Sequence, residues 1–436
     1  MIWNKEIECM SRPEMRALQS EQLKQLVNHV YKNVAFYSRR MDEMGVKPSD
    51  IQSIDDIVKL PFTYKTDLRD NYPFGLFAVP MKEIVRVHAS SGTTGKPTTV
   101  GYTKKDIENW REVVARCLTM AGIGADDIMQ ISYGYGLFTG GLGVHYGAET
   151  VGCSVVPISG GNTRRQLQLM SDFGSTVLAC TPSYALHLVD ALAENGYSLA
   201  DMKLKIGVFG AEPWTENMRL ELEKKWGIQA HDIYGLSEIM GPGVANDCNF
   251  HTGLHVHEDH FYPEIVHPDT KEPLAYGSEG ELVFTTLTKE GIPLIRYNTR
   301  DLSTLNSATC ECGRTLIRMK KITGRSDDML IIRGVNLFPS QIEHVLLELG
   351  ETSAHYMLYV DRENNLDTLE LKVELDETRL TDTIRELQNL SHKISHALNS
   401  AIGLSVKVTL VEPRTIARSE GKAVRVVDNR KKIGPS

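Results

Sequence analysis

Along the middle of the chain, short apolar runs alternate with longer stretches in which apolar residues recur every three or four positions. DIMQISYG (127–134), STVLACTP (175–182), LKIGVFG (204–210) and AHDIYG (230–235) are compact and are stopped by glycine or proline, which predicts buried strands. Amphipathic stretches such as KDIENWREVVARCLTMA (105–121) predict helices. Strand then helix, repeated, predicts mainly parallel sheets with helices on their faces. In such sheets ligands collect at the carboxyl ends of the strands, where the glycine-rich turns fall here. After GELVFTTL (280–287) the texture changes. From about 340 the order reads helix (QIEHVLLEL), strand (AHYMLYVD), a RENN turn, strand (TLELKVEL), a long helix and a last strand (VKVTLVE). In the long helix Leu380, Ile384, Leu387, Ile394 and Leu398 make one apolar face. The pattern predicts an α/β chain: a large N-terminal domain over 1–325 and a small α+β domain over 326–436. The boundary falls in the polar stretch GRSDD.

Length agrees with that division, because 436 residues exceed the usual span of one domain. A net charge of -8 sets the average field against nucleic acid and anionic membranes. The N-terminal stretch MIWNKEIECMSRPEM scatters charges and has no apolar run, so neither a signal peptide nor a membrane span is expected, and the cytoplasm is the default location. Seven cysteines do not make a disulfide framework. Cys9, Cys117, Cys153 and Cys180 are widely separated and are read as inert thiols, whereas Cys248, Cys310 and Cys312 ask for a further account.

Chemistry concentrates first in SSGTTGKPTT. Ser90, Ser91, Gly92, Thr93, Thr94 and Gly95 let backbone N–H and hydroxyl groups converge on an anion, and Lys96 adds a mobile cation. Only two residues separate Gly92 from Gly95, and Pro97 follows the lysine. The phosphate loop of the common nucleotide-binding P-loop enzymes needs four residues between its glycines and a hydroxyl after the lysine, so that reading fails.

The loop is followed, in order, by GAEPWTENMR (210–219), YGLSEIMGPG (234–243), YNTRD (297–301), GRSDDMLIIRGVNLFPSQIE (324–343) and EGKAVRVVD (420–428). This ordered set resembles the acyl-adenylate-forming superfamily, and within it the phenylacetate-coenzyme A ligase family, over almost the whole chain. YGYGLFTGGLGVHYGAE (133–149) is similar to the same subgroup. The resemblance implies ATP-dependent activation of an arylacetic acid, phenylacetate first among them, to an acyl-adenylate, then a thioester with CoA. AMP and pyrophosphate leave. It implies that Ser90 to Lys96 grip the outer phosphates, that Glu238 holds Mg²⁺ and that Ser237 lies near the α-phosphate. Gly210, Ala211, Glu212, Pro213, Tyr234 and Gly235 would form the adenine side, with Tyr234 stacked on the base. Asp301 would accept from the ribose hydroxyls and Arg325 would add a ribose or phosphate contact. Lys422 would bridge substrate carboxylate and α-phosphate, Asp327 would be the hinge about which the small domain rotates, and Gly334 would line the tunnel for CoA. Tyr135, Phe138, His145 and Tyr146 offer an aromatic lining for the acid. A homodimer is the family expectation.

Cys248 and the pair Cys310 and Cys312 supply three soft ligands, and the segment after Cys248 holds four histidines. Thiolates with an imidazole suit structural zinc. A two-residue turn at Thr252-Gly253 would put Cys248, His255 and His257 on one face and His251 on the other. Resemblance at Gly-Leu-His favours His255 as the fourth ligand. Two other functions fit the same motifs: an adenylylating relative with a different acceptor, and a non-catalytic nucleotide sensor. Only the ligase consumes CoA.

Overall fold

The structure is a computed structural model that describes all residues except 91–96, 323, 327–329, 333–334, 364–365, 377–378, 380–382, 419–423 and 431–436. The four expected strands and one more lie side by side, in the order Ser154–Val156, Ile128–Ile131, Val177–Cys180, Ile206–Gly210 and Gln229–Leu236, all pairs parallel. The fifth member, Ser154–Val156, is short and was not singled out by its pattern. The parallel reading stops there. From Gln229–Leu236 outward the same nine-stranded sheet continues antiparallel through Gly241–Asp247, Leu254–Val256, Arg318–Met319 and Leu305–Asn306. A second, four-stranded antiparallel sheet contains Phe261–Val266, Gly280–Thr286, Tyr297–Ser303 and Gly324–Arg325. The expectation of mainly parallel sheets is therefore corrected to mixed sheets flanked by helices. GPGVAND, rich in glycine and polar residues, lacks the apolar run that betrays a buried strand.

Helix packing explains one glycine-rich stretch. Helix Gly140–Val151 lies on helix Lys104–Met120, and a Cβ on Gly143 or Gly147 would stand 2.3 Å from the Trp110 ring or 2.2 Å from Val114. Those glycines, four residues apart, are the surface that lets the two helices close. Their contact also fixes where the helix begins, at the Phe138–Gly140 end that reaches the large cavity.

A separate apolar cluster holds the C-terminal part together: Leu330, Ile332, Ile342, Leu346, Tyr356, Leu358, Leu371, Ile394 and Leu398 are among its buried members. Strands Thr352–Glu363 and Leu366–Leu375 form its antiparallel centre, flanked by helices Pro339–Leu349 and Ile384–Ile402. Strand Lys407–Val411 adds in parallel on one edge, and Val426–Asp428 adds in parallel on the other. The last strand is only three residues long, below what apolar patterning resolves. Arg325 pairs with Asp301 in the large part, whereas Leu330 already packs in the small cluster. No helix among the described residues is long and apolar enough to cross a membrane.

Candidate active site

A cavity of about 1170 Å³ opens at the carboxyl ends of the parallel strands, bounded on the other side by Tyr297–Ser303. Every described residue that the sequence assigned to nucleotide binding in the large domain lines it: Ser90, the segment Gly210 to Pro213, Tyr234, Gly235, Ser237, Glu238, Asp301 and Arg325. Ser91 to Lys96, Asp327, Gly334 and Lys422 lie outside the described residues.

Ser90 ends the strand Ile84–Ser90 and faces Thr98 across a two-stranded hairpin, so the two hydroxyls flank the root of the glycine loop. Ser90 Oγ and Thr98 Oγ1 are buried and have no hydrogen-bond partner among the described residues. Buried hydroxyls normally find partners, so these two offer donors and acceptors beside the glycine-rich loop. 

In the segments expected to face adenine the backbone comes unusually close to itself. A Cβ on Gly210 would lie 2.1 Å from the Ile233 carbonyl oxygen, and one on Gly235 would lie 1.9 Å from that of Gly241. Between them Ala211 holds φ at 68°, the left-handed region that L side chains seldom adopt. The Glu212 carboxylate accepts from Ser183 N–H in the first turn of helix Pro182–Asp190 (2.8 Å), which anchors the strained segment to the fold.

Tyr234 and Asp301 are joined directly: the phenol donates to Asp301 Oδ2 at 2.6 Å. Arg325 Nη1 stands 3.4 Å from Asp301 Oδ1. Asp301 is thus held in place by a phenol and a guanidinium while its edge remains on the cavity. Burial and the adjacent Asp301 push the Tyr234 phenol pKa far above its ordinary value, so the bond is phenol to carboxylate.

Glu238 sits in the turn after Gln229–Leu236, 4% exposed, with Lys65 Nζ 3.4 Å from Oε1. Ser237 Oγ lies 2.8 Å from Thr139 Oγ1. Beneath the turn is a residue that sequence reasoning missed. Lys289 is 2% exposed and donates to the carbonyls of Glu238 (3.1 Å) and Ile239 (2.7 Å). Burial pushes its pKa down to about 8, opposed by Asp106 and Glu238. Nothing in TTLTKEG separates this lysine from surface charge. A second omission, Asp232, has a fairer excuse, since it is two residues before Tyr234 and strand periodicity sends both to one wall. Burial raises the Asp232 carboxyl to about 7.

Part of the cavity wall is apolar, with Tyr133, Phe138, Ile233 and Pro242 lining it, the region where the sequence places the acid's aromatic pocket. Of the four aromatic residues expected there, Phe138 alone is on it. Tyr135, His145 and Tyr146 form a neighbouring cluster, with Tyr135 Oη 3.1 Å from His145 Nδ1 and Arg86 donating to the Tyr146 phenol at 2.8 Å. The glycine stripe turns one face of helix Gly140–Val151 onto Trp110 and Val114, and Tyr135 and His145 meet beside it.

Away from the cavity, Cys248, His255, Cys310 and Cys312 bring their ligand atoms within 4.8 Å of one another. Cys248 Sγ and Cys310 Sγ are 3.8 Å apart, and Cys312 Sγ is 3.5 Å from His255 Nε2. A tetrahedral ion with metal–sulfur bonds of about 2.3 Å and a metal–nitrogen bond of about 2.0 Å has edges of roughly 3.8 and 3.5 Å. The donor set therefore fits such an ion. Hydrogen bonds from Cys248 and His255 draw the Cys312 pKa below the usual thiol range, which favours a thiolate there. The expected two-residue turn is corrected: strands Gly241–Asp247 and Leu254–Val256 are joined by a longer connection in which His251 turns back to Asp247 (2.8 Å). His257 faces Cys117 instead (3.3 Å), leaving His255 as the imidazole of the cluster.

Comparison with known proteins agrees with this geometry. The family model for AMP-binding enzymes matches residues 16–287, and that for the C-terminal domain of AMP-binding enzymes matches 334–430. The phenylacetate-coenzyme A ligase of Escherichia coli (strain K12) is 53% identical over 430 residues, 98% of each chain. A crystal structure of 2-hydroxyisobutyryl-CoA ligase in the postadenylation state, with R3-HIB-AMP, superposes with a TM-score of 0.93 at 29% identity, covering 99% of this chain and 93% of that one. The same ligase with 2-HIB-AMP and CoA in its thioesterification state gives 0.73 at the same coverage. The chain belongs to the AMP-binding enzymes, and among them to the phenylacetate-coenzyme A ligase family.

Proposed function

We propose that this chain is an AMP-forming acid:thiol ligase that activates an arylacetic acid, phenylacetate foremost, with ATP and transfers the acyl group to CoA. The observation that carries the reading is the convergence of Ser90, Glu238 and the Tyr234–Asp301–Arg325 group on one cavity that ends in an apolar wall. Residues 1–325 hold ATP and the acid; residues 326–436 are the domain that rotates, with Asp327 as hinge and Lys422 as its working residue.

In the first step a carboxylate oxygen of the acid bonds to the α-phosphorus while the bond to pyrophosphate breaks. Two anions must approach, so cations and N–H donors have to offset their repulsion. Ser90 to Lys96 take the leaving phosphates, and Lys422 lies between acid and α-phosphate. Glu238 is the residue that would hold Mg²⁺, which supplies charge neutralisation along the phosphates when bound. Asp301 accepts from the ribose hydroxyls, and Asp232 accepts from the adenine amino group. Tyr133, Phe138, Ile233 and Pro242 hold the aryl ring out of water. The assignment of Tyr135, His145 and Tyr146 becomes a supporting layer behind Phe138. In the second step the CoA sulfur, entering past Gly334, bonds to the acyl carbon, the bond to AMP breaks, and the thiol proton leaves to solvent.

Lys422 acts by position and charge. Lys422→Ala is expected to lose acid-dependent exchange of pyrophosphate into ATP while still converting supplied acyl-adenylate and CoA to thioester. Equal loss of both half-reactions contradicts the role. Cys248, His255, Cys310 and Cys312 hold a structural Zn²⁺ that pins the loop. The enzyme works in the cytoplasm, on small molecules, as a homodimer.

A further inference from the structure

We infer that Lys65 and Arg69, a pair of cations outside every motif singled out in the sequence, bind pyrophosphate as it leaves in the first half-reaction. The inference deepens the reading of the cavity as an ATP and acid site and rests on it.

The segment FTYKTDLRD (62–70) holds a short helix, Lys65–Asp70. Its start is fixed by Asp67, whose carboxylate accepts from Tyr64 N–H at 2.8 Å and pairs with Arg40 at 2.7 Å. Lys65 and Arg69 are four residues apart, so they share a face of the helix, and both line the cavity. Three contacts place that face. Thr63, just before the helix, bridges in parallel to Tyr297, at the start of the strand that carries Asp301. The helix packs on strand Thr98–Thr103, the partner of Ile84–Ser90 in the hairpin. Lys65 Nζ lies 3.4 Å from Glu238 Oε1. The helix therefore stands between the strand assigned to ribose and the hairpin assigned to the outer phosphates, at the end of the cavity where Glu238 sits.

Four cations among the described residues line the cavity: Lys65, Arg69, Arg300 and Arg325. Arg325 stands 3.4 Å from Asp301, and Arg300 stands 3.4 Å from Glu281. Lys65 faces Glu238, the carboxylate assigned above to Mg²⁺. Arg69 differs from all three. Its Nε is buried with no hydrogen-bond partner, and no carboxylate among the described residues pairs with its guanidinium. Buried N–H groups normally find acceptors, so this one is set for a ligand. A guanidinium offers several donors in one plane and takes phosphate oxygens in pairs, whereas an ammonium is a compact charge on a flexible stem. The helix presents one of each, a set suited to a polyanion with several oxygens.

In the first half-reaction the bond from the α-phosphorus to the bridging oxygen breaks, and its electron pair stays on that oxygen as pyrophosphate departs. Charge gathers on the leaving group, so donors fixed beside it count for more in the transition state than in bound ATP. Lys65 and Arg69 supply such donors, and no proton has to move.

Inorganic pyrophosphate is the probe. Full-length enzyme with excess Mg²⁺ receives the acyl-adenylate of an aryl acid that it activates, and ATP formed from pyrophosphate is followed by chromatography. In Arg69→Met the KM for pyrophosphate is expected to rise about tenfold or more, while that for acyl-adenylate stays within about twofold. Lys65→Met is expected to raise it as well. Thioester formation from the same acyl-adenylate and CoA involves no pyrophosphate; it is expected to stay within about twofold and reports folding. A KM for pyrophosphate unchanged in either variant overturns the pair. Where Arg69→Met loses ATP and thioester formation together, Arg69→Lys is read instead: a raised KM for pyrophosphate with thioester formation intact supports the inference, and parallel loss overturns it. Absence of ATP formation in the unmodified enzyme overturns the ligase reading itself, so the two failures are told apart.

Discussion

Asp301 holds two partners before any nucleotide arrives, the Tyr234 phenol at 2.6 Å and Arg325 at 3.4 Å. Asp301→Ala strands a buried phenol and removes the acceptor proposed for the ribose, each a loss of about 1–3 kcal/mol. The KM for ATP is expected to rise about tenfold or more, while that for the acid moves little; steady-state kinetics with each substrate varied checks the split. Asp232 adds a pH dependence. Burial raises its folded pKa to about 7, so the carboxyl is protonated below that and charged above it. A charged acceptor binds the adenine amino group more strongly. The KM for ATP is therefore expected to fall as pH rises through about 7, and Asp232→Asn flattens that slope; an unchanged slope in the variant removes Asp232 from the adenine site. The same shift has the opposite sign for the free protein, in which Asp232 contributes most below its unfolded pKa and loses that contribution as pH rises through about 7. At this scale the sequence was most legible where residues sit in ordered motifs. Asp301, Glu238 and Ser90 come from such motifs, and all three line the cavity. Lys289 and Tyr133 act through burial, which one-dimensional pattern cannot report.

Among the elements, compact apolar runs became strands and the amphipathic helix at 105–121 appeared as Lys104–Met120. What stayed hidden was pairing direction: Gly241–Asp247 and Leu254–Val256 are set antiparallel by a connection that no periodicity marks. That connection carries Cys248 and leads to His255, so the proposed metal site and the strand register depend on each other. Asp247, next to Cys248, accepts from the Asp232 backbone N–H at 3.0 Å, which ties the cysteine loop to the wall of the cavity. Cys310→Ser is expected to lower the melting temperature and to raise the KM for ATP, with bound zinc falling from about one per chain to near zero. Metal analysis of protein purified without added metal decides the assignment; a stoichiometry near zero in the unmodified protein refutes it. The aromatic cluster teaches the complementary lesson. Tyr135, His145 and Tyr146 are spaced like pocket residues, but the glycine stripe turns the helix of His145 and Tyr146 onto Trp110 and Val114, Tyr135 packs against His145, and of the four expected aromatics Phe138 alone reaches the cavity.

For the molecule as a whole, one hydrophobic cluster lies within the large part and another within the small part, while the cluster of Leu167, Tyr184, Phe209 and Trp226 also takes in Ala354 of the small part, so apolar packing joins the two. The order of elements from about 340, helix, two strands, helix and strand, was readable from the sequence. The contacts between the parts, such as Thr215 with Glu343, were not, because they join residues far apart in sequence that no periodicity links. The central claim concerns what the two parts accomplish together, and the most direct measurement supplies purified enzyme with ATP, CoA and a panel of aryl acids, then quantifies AMP and acyl-CoA by chromatography and mass spectrometry. One acyl-CoA is expected for each AMP, with phenylacetate and related arylacetates the fastest. AMP transferred to another acceptor without consumption of CoA, or no acid-dependent AMP at all, would contradict the account.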